Sequence, residues 1–219
     1  MFRKTVRDRF ELIRPHLAGD VLDVGCVDAR PLREGSTRRI ERKGSPTAMN
    51  RGWGPKPGLL FLQVAQVNPR VTGLDIDAEG VAALRELGHD VVCGDAETAD
   101  LGRTFDTIVA GEIIEHLANP GLFLANMRRH LRPGGVLILS TPNPFSGVQA
   151  WRIWKAGRPK VHEQHVAWYD PQTLGVLLGR SGFEVVDGAW VQRRRRASGW
   201  KAIFRRYFSS SFVVVTQAQ

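Results

Sequence analysis

The stretch Val21-Leu22-Asp23-Val24-Gly25-Cys26 is a short apolar run, interrupted by one acid, that ends in a glycine turn. Such runs are typical of strands buried on both faces of a parallel sheet. Glycine permits a tight turn and a close approach of the backbone to a ligand, which a side chain would block. The stretch therefore predicts the first strand of an α/β sheet, with a ligand site at its carboxyl end.

Six further apolar runs follow, and predicted helices separate most of them. Asp77 is a good N-cap for one helix and Pro120 opens another. Strands that alternate with helices imply a mostly parallel sheet covered on both faces. We therefore expect one α/β domain over residues 1–219, with a doubly wound, Rossmann-like sheet of seven strands. The six further runs are residues 71–75, 90–95, 107–110, 136–139, 183–186 and 212–215.

Three segments interrupt this alternation. Residues 30–58 are rich in Arg, Gly, Pro and Ser and predict a basic loop insertion. Residues 142–169 combine aromatic side chains with His162 and His165, and predict a lid-like insertion over a substrate. Residues 191–209 carry Arg193 to Arg196 followed by aromatic residues, and predict a basic amphipathic segment.

The net charge of +9 is concentrated in two of these segments. Residues 30–58 hold eight Lys or Arg against two acids, and residues 191–219 hold seven against none. For 191–209 we keep three interpretations open: peripheral contact with an anionic membrane, aromatic packing on the sheet with solvated arginines, and binding of nucleic acid. The aromatic residues do not follow a recognisable RNA-binding module, so nucleic acid is the weakest of the three.

The cysteine count and the hydropathy of the chain indicate where it acts. Cys26 and Cys93 are the two cysteines, and they form no CxxC pattern, so a disulfide framework is excluded and a reducing compartment fits. No run approaches the roughly 18 apolar residues of a membrane span, and the first residues contain no apolar signal segment. We expect a cytoplasmic protein, located at the inner face of the membrane if residues 191–209 bind lipid.

Two acids at the ends of later strands fit a nucleoside. Asp75 can accept hydrogen bonds from ribose hydroxyls, and such an acid usually follows the glycine turn by about 20 residues. Here the interval is 50 residues, and the excess matches the insertion at 30–58. Asp95 can accept a hydrogen bond from the amino group of an adenine. The pattern GxGxxG is absent after Gly25, which argues against a nicotinamide dinucleotide; each acid could also merely cap a helix.

Six motifs in a fixed order resemble those of class I S-adenosylmethionine-dependent methyltransferases, over about residues 17–217. They are VLDVGC at 21–26, GLDID at 73–77, GDAE at 94–97, FD at 105–106, EIIEHL at 112–117 and LRPGG at 131–135. The resemblance implies S-adenosylmethionine as cofactor and an antiparallel last strand at 212–215. It also implies the binding residues, namely Asp23 and Gly25 beside the methionine part, Asp75 and Ile76 at the ribose, Asp95 and Ala96 at the adenine, and Ala110 to Glu112 beside the sulfonium.

The chain departs from this pattern at two positions. Family members commonly carry glycine where this chain has Val27 and Ala29. Side chains at these positions would narrow the cofactor pocket or weaken cofactor binding, so a domain that has lost its cofactor is one hypothesis.

A second group of polar residues indicates a metal. Glu112, Glu115 and His116 stand at i, i+3 and i+4, so a helix would place them on one face. With Ser140 to Asn143, His165 and Tyr169, they resemble metal-dependent O-methyltransferases of catechols in ubiquinone synthesis and of the terminal ribose of small RNAs. The resemblance implies that Glu112, Glu115, His116 and His165 hold a divalent ion that grips two adjacent hydroxyls.

Mixed carboxylate and imidazole ligands suit Zn, Mn or Fe, and also Mg if waters complete the shell. The alternative is a metal-free enzyme in which the acids serve a helix N-terminus. In that case His165 is the first candidate base and His162 the second.

Together these features predict an S-adenosylmethionine-dependent methyltransferase that O-methylates a small-molecule, saccharide or lipid-linked hydroxyl. The candidate catalytic residues are His165, Glu115 and His116. The alternative is an RNA ribose 2′-O-methyltransferase or an RNA-binding protein on the same fold, which would bind RNA with a steep salt dependence.

Overall fold

The computed structural model describes residues 2, 4–27, 60–192 and 209–219. Within these ranges the chain forms an eight-stranded sheet in the order β1-β7-β8-β6-β5-β2-β3-β4. The strands are β1 (Lys4–Val6), β2 (Val21–Val24), β3 (Val71–Asp75), β4 (Val91–Cys93), β5 (Phe105–Gly111), β6 (Leu131–Pro142), β7 (Phe183–Val191) and β8 (Ser211–Ala218).

The helices begin where the sequence provides start signals. The Asp77 carboxylate accepts hydrogen bonds from the N–H groups of Glu79 and Gly80, which fixes the predicted N-cap. Pro120 occupies the first position of its helix, as predicted. The helices are α1 (Phe10–Ile13), α2 (Leu60–Val67), α3 (Ala78–Glu86), α4 (Pro120–His130), α5 (Gly147–Ala156) and α6 (Pro171–Arg180), with single 3-10 turns at Arg14–His16 and Ile114–His116.

The topology confirms the predicted Rossmann-like sheet. Strand β2 pairs in parallel with both β3 and β5, so the strand order reverses at β2. Strand β8 runs antiparallel to β6 and to β7, as the resemblance implied. The described strand count is one more than the predicted seven, because β1 pairs in parallel with β7 at the edge of the sheet. Lys4-Thr5-Val6 is too short and too polar to be identified as a strand from sequence.

The core lies on both faces of the sheet. All four residues of β2 are buried, and its side chains alternate between the two layers: Val21 packs in one layer and Leu22 and Val24 in the other. Burial on both faces explains the nearly continuous apolar run. The carboxyl ends of β2 to β6 therefore meet at one edge of the sheet, beside the point where the strand order reverses.

The three interrupting segments have different outcomes. The basic loop at 30–58 lies outside the described residues, and so does most of the basic amphipathic segment, at 193–208. The segment at 142–169 contains α5 and then a stretch without helix or strand, in which the Val166 N–H donates to the Glu115 carbonyl. Among the helices described, none combines the length and apolar character needed to span a bilayer.

Candidate active site

The glycine turn takes the backbone shape that the sequence predicts. Gly25 has φ of 77°, in the left-handed region that residues with a Cβ rarely adopt. Its N–H donates to the Leu74 carbonyl at 2.8 Å, which ties the turn after β2 to β3. Substitution at Gly25 would therefore be strained whatever space surrounds it.

The Asp75 carboxylate joins the turn after β2 to the turn after β3 at the same edge of the sheet. Its Oδ2 accepts from the Val27 N–H at 2.8 Å and its Oδ1 from the Asp77 N–H at 3.0 Å. Burial raises the pKa of Asp75 above its usual range, and these hydrogen bonds oppose that rise. Ile76 is 72% exposed beside it. Each carboxylate oxygen has a second lone pair, so Asp75 remains able to accept ribose hydroxyls.

Asp95 and Ala96 follow β4 on the far side of Asp75. Asp95 is exposed, and its Oδ1 accepts from the Glu97 N–H at 2.9 Å. Ala96 packs in the core. Asp95 thus reaches the surface at the edge that also carries Gly25 and Asp75, and it organises its own turn as well.

Val27 is accommodated by a glycine on the neighbouring helix. A Cβ built on Gly80 would lie 2.3 Å from Cγ1 of Val27, so the valine side chain occupies the space that Gly80 leaves open. Val27 therefore packs against α3 in place of a family glycine. The structure gives a physical reason for this departure from the motif, whereas Ala29 lies outside the described residues.

Arg9 is a site residue that the sequence analysis missed. Its Nη1 lies 3.3 Å from the Ser140 hydroxyl and 3.4 Å from Oε1 of Glu112. The side chain is 19% exposed, and its charge also lowers the pKa values of Asp23 and Glu115. A single arginine ahead of a short helix carries no sequence signal, because its role depends on strands that follow more than a hundred residues later.

Asp23 is buried at the centre of β2. It is 1% exposed, and its Oδ2 has no hydrogen-bond partner among the described residues. Burial raises the pKa of Asp23 to about 8, although Arg9 acts in the opposite direction. The folded protein therefore favours the protonated form of this buried carboxyl group near neutral pH.

The segment that carries Glu112, Glu115 and His116 does not form an α-helix. Only Ile114–His116 forms a 3-10 turn, and Glu112 precedes it with φ of 58°. The Glu112 N–H donates to the Ser140 carbonyl at 2.8 Å, which continues the β5 to β6 pairing and holds this unusual backbone. Glu112, Glu115 and His116 therefore do not share one helical face: Glu112 pairs with Arg9, Glu115 is buried and His116 contacts other histidines.

Glu115 is a buried carboxyl group without a formed hydrogen bond. It is 1% exposed, and neither carboxyl oxygen has a partner of good geometry among the described residues. Burial raises the pKa of Glu115 to about 7, and repulsion from Glu112 adds to the rise. The Thr141 hydroxyl lies near enough to lower the pKa slightly. A carboxyl group with a pKa near neutrality can take or give a proton at physiological pH.

Three histidines meet beside this turn. The candidate ligand atoms of His116, His162 and His165 all lie within 4.8 Å of one another. The His116 and His165 ring centroids are 4.6 Å apart, nearly perpendicular at 89°. Burial lowers the pKa of His116 and of His165, and repulsion from His162 lowers both further. Two imidazoles of this cluster are therefore neutral near pH 7, as a base or a metal ligand must be.

The cluster fits a metal in its donor chemistry. Nδ1 of His116 lies 3.1 Å from the Gln164 carbonyl, which can only accept, so this nitrogen carries the proton and Nε2 keeps a lone pair. Such second contacts are usual for metal-bound histidines. The structure thus brings the predicted His116 and His165 together and adds His162, whereas the predicted ligands Glu112 and Glu115 fall outside this three-residue group.

The Glu112 carboxylate is nevertheless near. Its charge raises the pKa values of both His116 and His165, against the larger effect of burial. One of the two predicted carboxylate ligands therefore interacts electrostatically with both predicted histidine ligands.

Comparison with known proteins shows the family of the chain. The family described as "Methyltransferase domain" matches residues 3–187. A ubiquinone biosynthesis O-methyltransferase of Rhizobium etli is 25% identical over 186 residues, which is 83% of this chain. The chain spans 66% of that relative's length, just under two thirds.

Solved structures share the fold at lower identity. An S-adenosylmethionine-dependent methyltransferase from Archaeoglobus fulgidus is 15% identical with a TM-score of 0.61, over 95% of this chain and 90% of the other. The magnesium protoporphyrin IX methyltransferase of Synechocystis, solved with bound S-adenosylhomocysteine, is 14% identical with a TM-score of 0.60, over 96% and 79%. These similarities support the fold.

Proposed function

Because the chain belongs to the methyltransferase-domain family, we propose that it is an S-adenosylmethionine-dependent enzyme that O-methylates a hydroxyl group of a small molecule. The observation that carries the proposal is the junction of two sets of residues at one edge of the sheet. Asp75, Gly25 and Arg9 suit a charged nucleoside cofactor, and the histidine cluster beside Glu115 suits the removal of a proton from an acceptor.

Residues at the carboxyl ends of β2, β3 and β4 would hold the cofactor. Asp75 would accept hydrogen bonds from the ribose hydroxyls, Ile76 would lie along the nucleoside and Asp95 would accept a hydrogen bond from the adenine amino group. The turn at Gly25 lets the backbone approach the methionine part. Arg9 would hold the methionine carboxylate through guanidinium N–H groups other than the one that faces Glu112, and Asp23 would lie beside the same part of the cofactor.

Methyl transfer to an alcohol requires alignment and the loss of one proton. The site would supply alignment by holding the methyl donor and the acceptor oxygen next to each other, which can account for much of the rate. His165 accepts the hydroxyl proton, because its ring is neutral and half-buried. Glu115 and His116 assist, the first as a carboxyl group with a pKa of about 7 and the second by orienting His165.

A divalent metal fits the same cluster. His116, His165 and His162 would hold it. Glu112 and Glu115, which the sequence also predicts as ligands, lie outside this three-residue group. A bound ion would lower the pKa of an acceptor hydroxyl. Three imidazole donors favour Zn, Mn or Fe over Mg, which prefers oxygen ligands.

The acceptor class follows from this chemistry and from the relatives. Two neutral imidazoles, together with a carboxyl group of raised pKa, suit an acidic hydroxyl such as a phenol, and a metal would suit two adjacent hydroxyls. The relative from Rhizobium etli is named for ubiquinone biosynthesis. We therefore assign a catechol-like phenol as the preferred acceptor.

Labelled methyl transfer tests the proposal. The protein is incubated with S-adenosylmethionine labelled on its methyl group and with 3,4-dihydroxybenzoate, benzoate, a primary amine and an RNA oligonucleotide in parallel. We expect a methyl ether on the catechol and no transfer to benzoate. Transfer confined to the amine or to RNA, or no S-adenosylmethionine binding by calorimetry, would overturn it.

A further inference from the structure

Helix α5 is a well-formed helix whose side chains remain outside the core. The Ser146 hydroxyl accepts from the Gln149 N–H at its start, and Gly157 ends it with φ of 68°. Both ends are thus capped in the usual way. None of its ten residues is buried. A surface helix normally buries an apolar stripe, so the apolar side chains of α5 require another partner.

These side chains include two large aromatic rings. Trp154 is 83% exposed and Trp151 is 55% exposed. Three positions apart, they share one side of the helix. Aliphatic and aromatic side chains extend the exposed surface on either side of them, namely Phe145, Val148, Ile153 and Val161.

All charged side chains in and around α5 are basic. Residues 143–161 contain four Lys or Arg and no Asp or Glu. Lys155 places its Nζ 5.0 Å from the centre of the Trp151 ring, so cationic and aromatic groups form one surface. We call this surface the α5 patch; its basic members are Arg152, Lys155, Arg158 and Lys160.

We infer that the α5 patch docks on the surface of an anionic lipid bilayer. Trp side chains are enriched at the boundary between lipid headgroups and acyl chains, and an amphipathic helix lies there with its apolar face inserted. Basic side chains around such a face are attracted to the negative surface of anionic lipids. The patch has the aromatic, aliphatic and basic groups that this environment favours.

Other partners fit less well. A symmetric interface with a second copy would bring the same basic residues of both copies together without an acid in 143–161 to pair with them. Nucleic acid would use the cations and the tryptophan rings but would leave Val148, Ile153 and Val161 without a partner. A bilayer accommodates all three kinds of side chain.

The patch is connected to the candidate active site. The Gln149 side chain donates to the Lys160 carbonyl at 2.7 Å and accepts from the Lys160 N–H at 3.2 Å, which ties the returning chain to α5. His162 follows two residues later and joins the histidine cluster. Docking would therefore hold the acceptor side of the site against the membrane surface. The lid-like segment expected at 142–169 would act as a membrane contact.

Vesicle flotation tests the inference without any acceptor, so its outcome is separate from that of the methyl-transfer assay. The full chain is mixed with vesicles of phosphatidylcholine alone or with about one third phosphatidylglycerol. We expect binding to the anionic vesicles only. The Trp151→Gln/Trp154→Gln variant should lower the partition coefficient at least about tenfold, and Lys155→Glu/Lys160→Glu should do the same.

Matched controls separate the patch from other surfaces. Leu122→Gln on α4 and Val176→Gln on α6 remove exposed apolar residues elsewhere, and should float as the parent does. The single variant Trp154→Gln should leave the unfolding temperature unchanged, because an exposed ring contributes little to folding. Full binding by the tryptophan variant would overturn the inference, since residues 193–208 would then suffice. Loss of stability in Trp154→Gln, or RNA binding that competes with vesicles, would also contradict it.

Discussion

The guanidinium of Arg9 pairs with the carboxylate of Glu112, with Nη1 3.4 Å from Oε1. Glu112 is also the non-glycine residue with positive φ in the part of the chain that the structure describes. The pair joins the segment after β1 to the end of β5, and the Ser140 hydroxyl approaches the same guanidinium at 3.3 Å. A strained residue fixed by an ion pair at the edge of an α/β sheet is typical of a ligand site.

Loss of the Arg9 charge is expected to weaken cofactor binding. Arg9→Ala removes the cation that pairs with Glu112, so a bound methionine carboxylate would lose its charged partner and lie near an uncompensated Glu112. We expect a dissociation constant for S-adenosylmethionine at least about tenfold higher by calorimetry, consistent with a lost charge-assisted hydrogen bond of about 1.5–3 kcal/mol. Arg103→Ala, which removes the exposed partner of Asp90, is the control and should bind as the parent does. Equal affinity in both variants would exclude this role.

Glu112 should show a cost of its backbone conformation. At φ of 58° the backbone is strained for residues that carry a Cβ, whereas glycine adopts this conformation readily. Glu112→Gly should therefore be more stable than Glu112→Ala by about 1 kcal/mol in urea unfolding, although both lose the contact with Arg9. Because both variants lose the ion pair with Arg9, the difference in their stability reports the backbone conformation alone. A more stable alanine variant would show that the left-handed backbone relaxes.

The motifs predicted the fold class and the family, and both are confirmed, because buried strands and glycine turns leave local signals such as residues 21–26. The site was less accessible. The helical spacing of Glu112, Glu115 and His116 suggested one face, but pairing of Glu112 with Ser140 across the sheet prevents a helix from starting there. Arg9 and Gly80 act only through contacts between distant segments, and no local pattern reports those.

The buried acid Asp23 should make stability depend on pH. Its folded pKa of about 8 is above the value of about 3.9 in an unfolded chain, so the folded state holds the proton more tightly. This contribution to stability is complete below about pH 4 and is lost as pH rises towards 8. Relative to the parent, Asp23→Asn should gain up to about 1.4 kcal/mol per pH unit between about pH 5 and pH 8 in urea unfolding. A constant difference between the two proteins over this range would show that Asp23 is ionised when folded.

The histidine cluster should bind a divalent metal. Titration with Co²⁺, followed by visible absorption, reports coordination directly and does not require activity. We expect binding that is lost below the pKa of the imidazoles and weakened at least about a hundredfold in His116→Ala and His165→Ala. His89→Ala is the control, because His89 packs against Phe61 away from the cluster. If the two cluster variants bind Co²⁺ as the parent does, the cluster is not the metal site and His165 remains only as a base.

Val27 and Gly80 should behave as one unit. The valine side chain fills the space above Gly80, where an added Cβ would be 2.3 Å from Cγ1. Gly80→Ala should therefore push Val27 out of its position and disturb the hydrogen bond from the Val27 N–H to Asp75, the proposed ribose ligand. We expect weaker S-adenosylmethionine binding in Gly80→Ala and recovery in Gly80→Ala/Val27→Gly, a coupling that contact pairs commonly show. Gly121→Ala, where an added Cβ meets nothing within 4 Å, is the matched control. Independent, additive effects of the two substitutions would mean that Val27 contacts the cofactor directly. The Val27 side chain would then narrow the cofactor pocket.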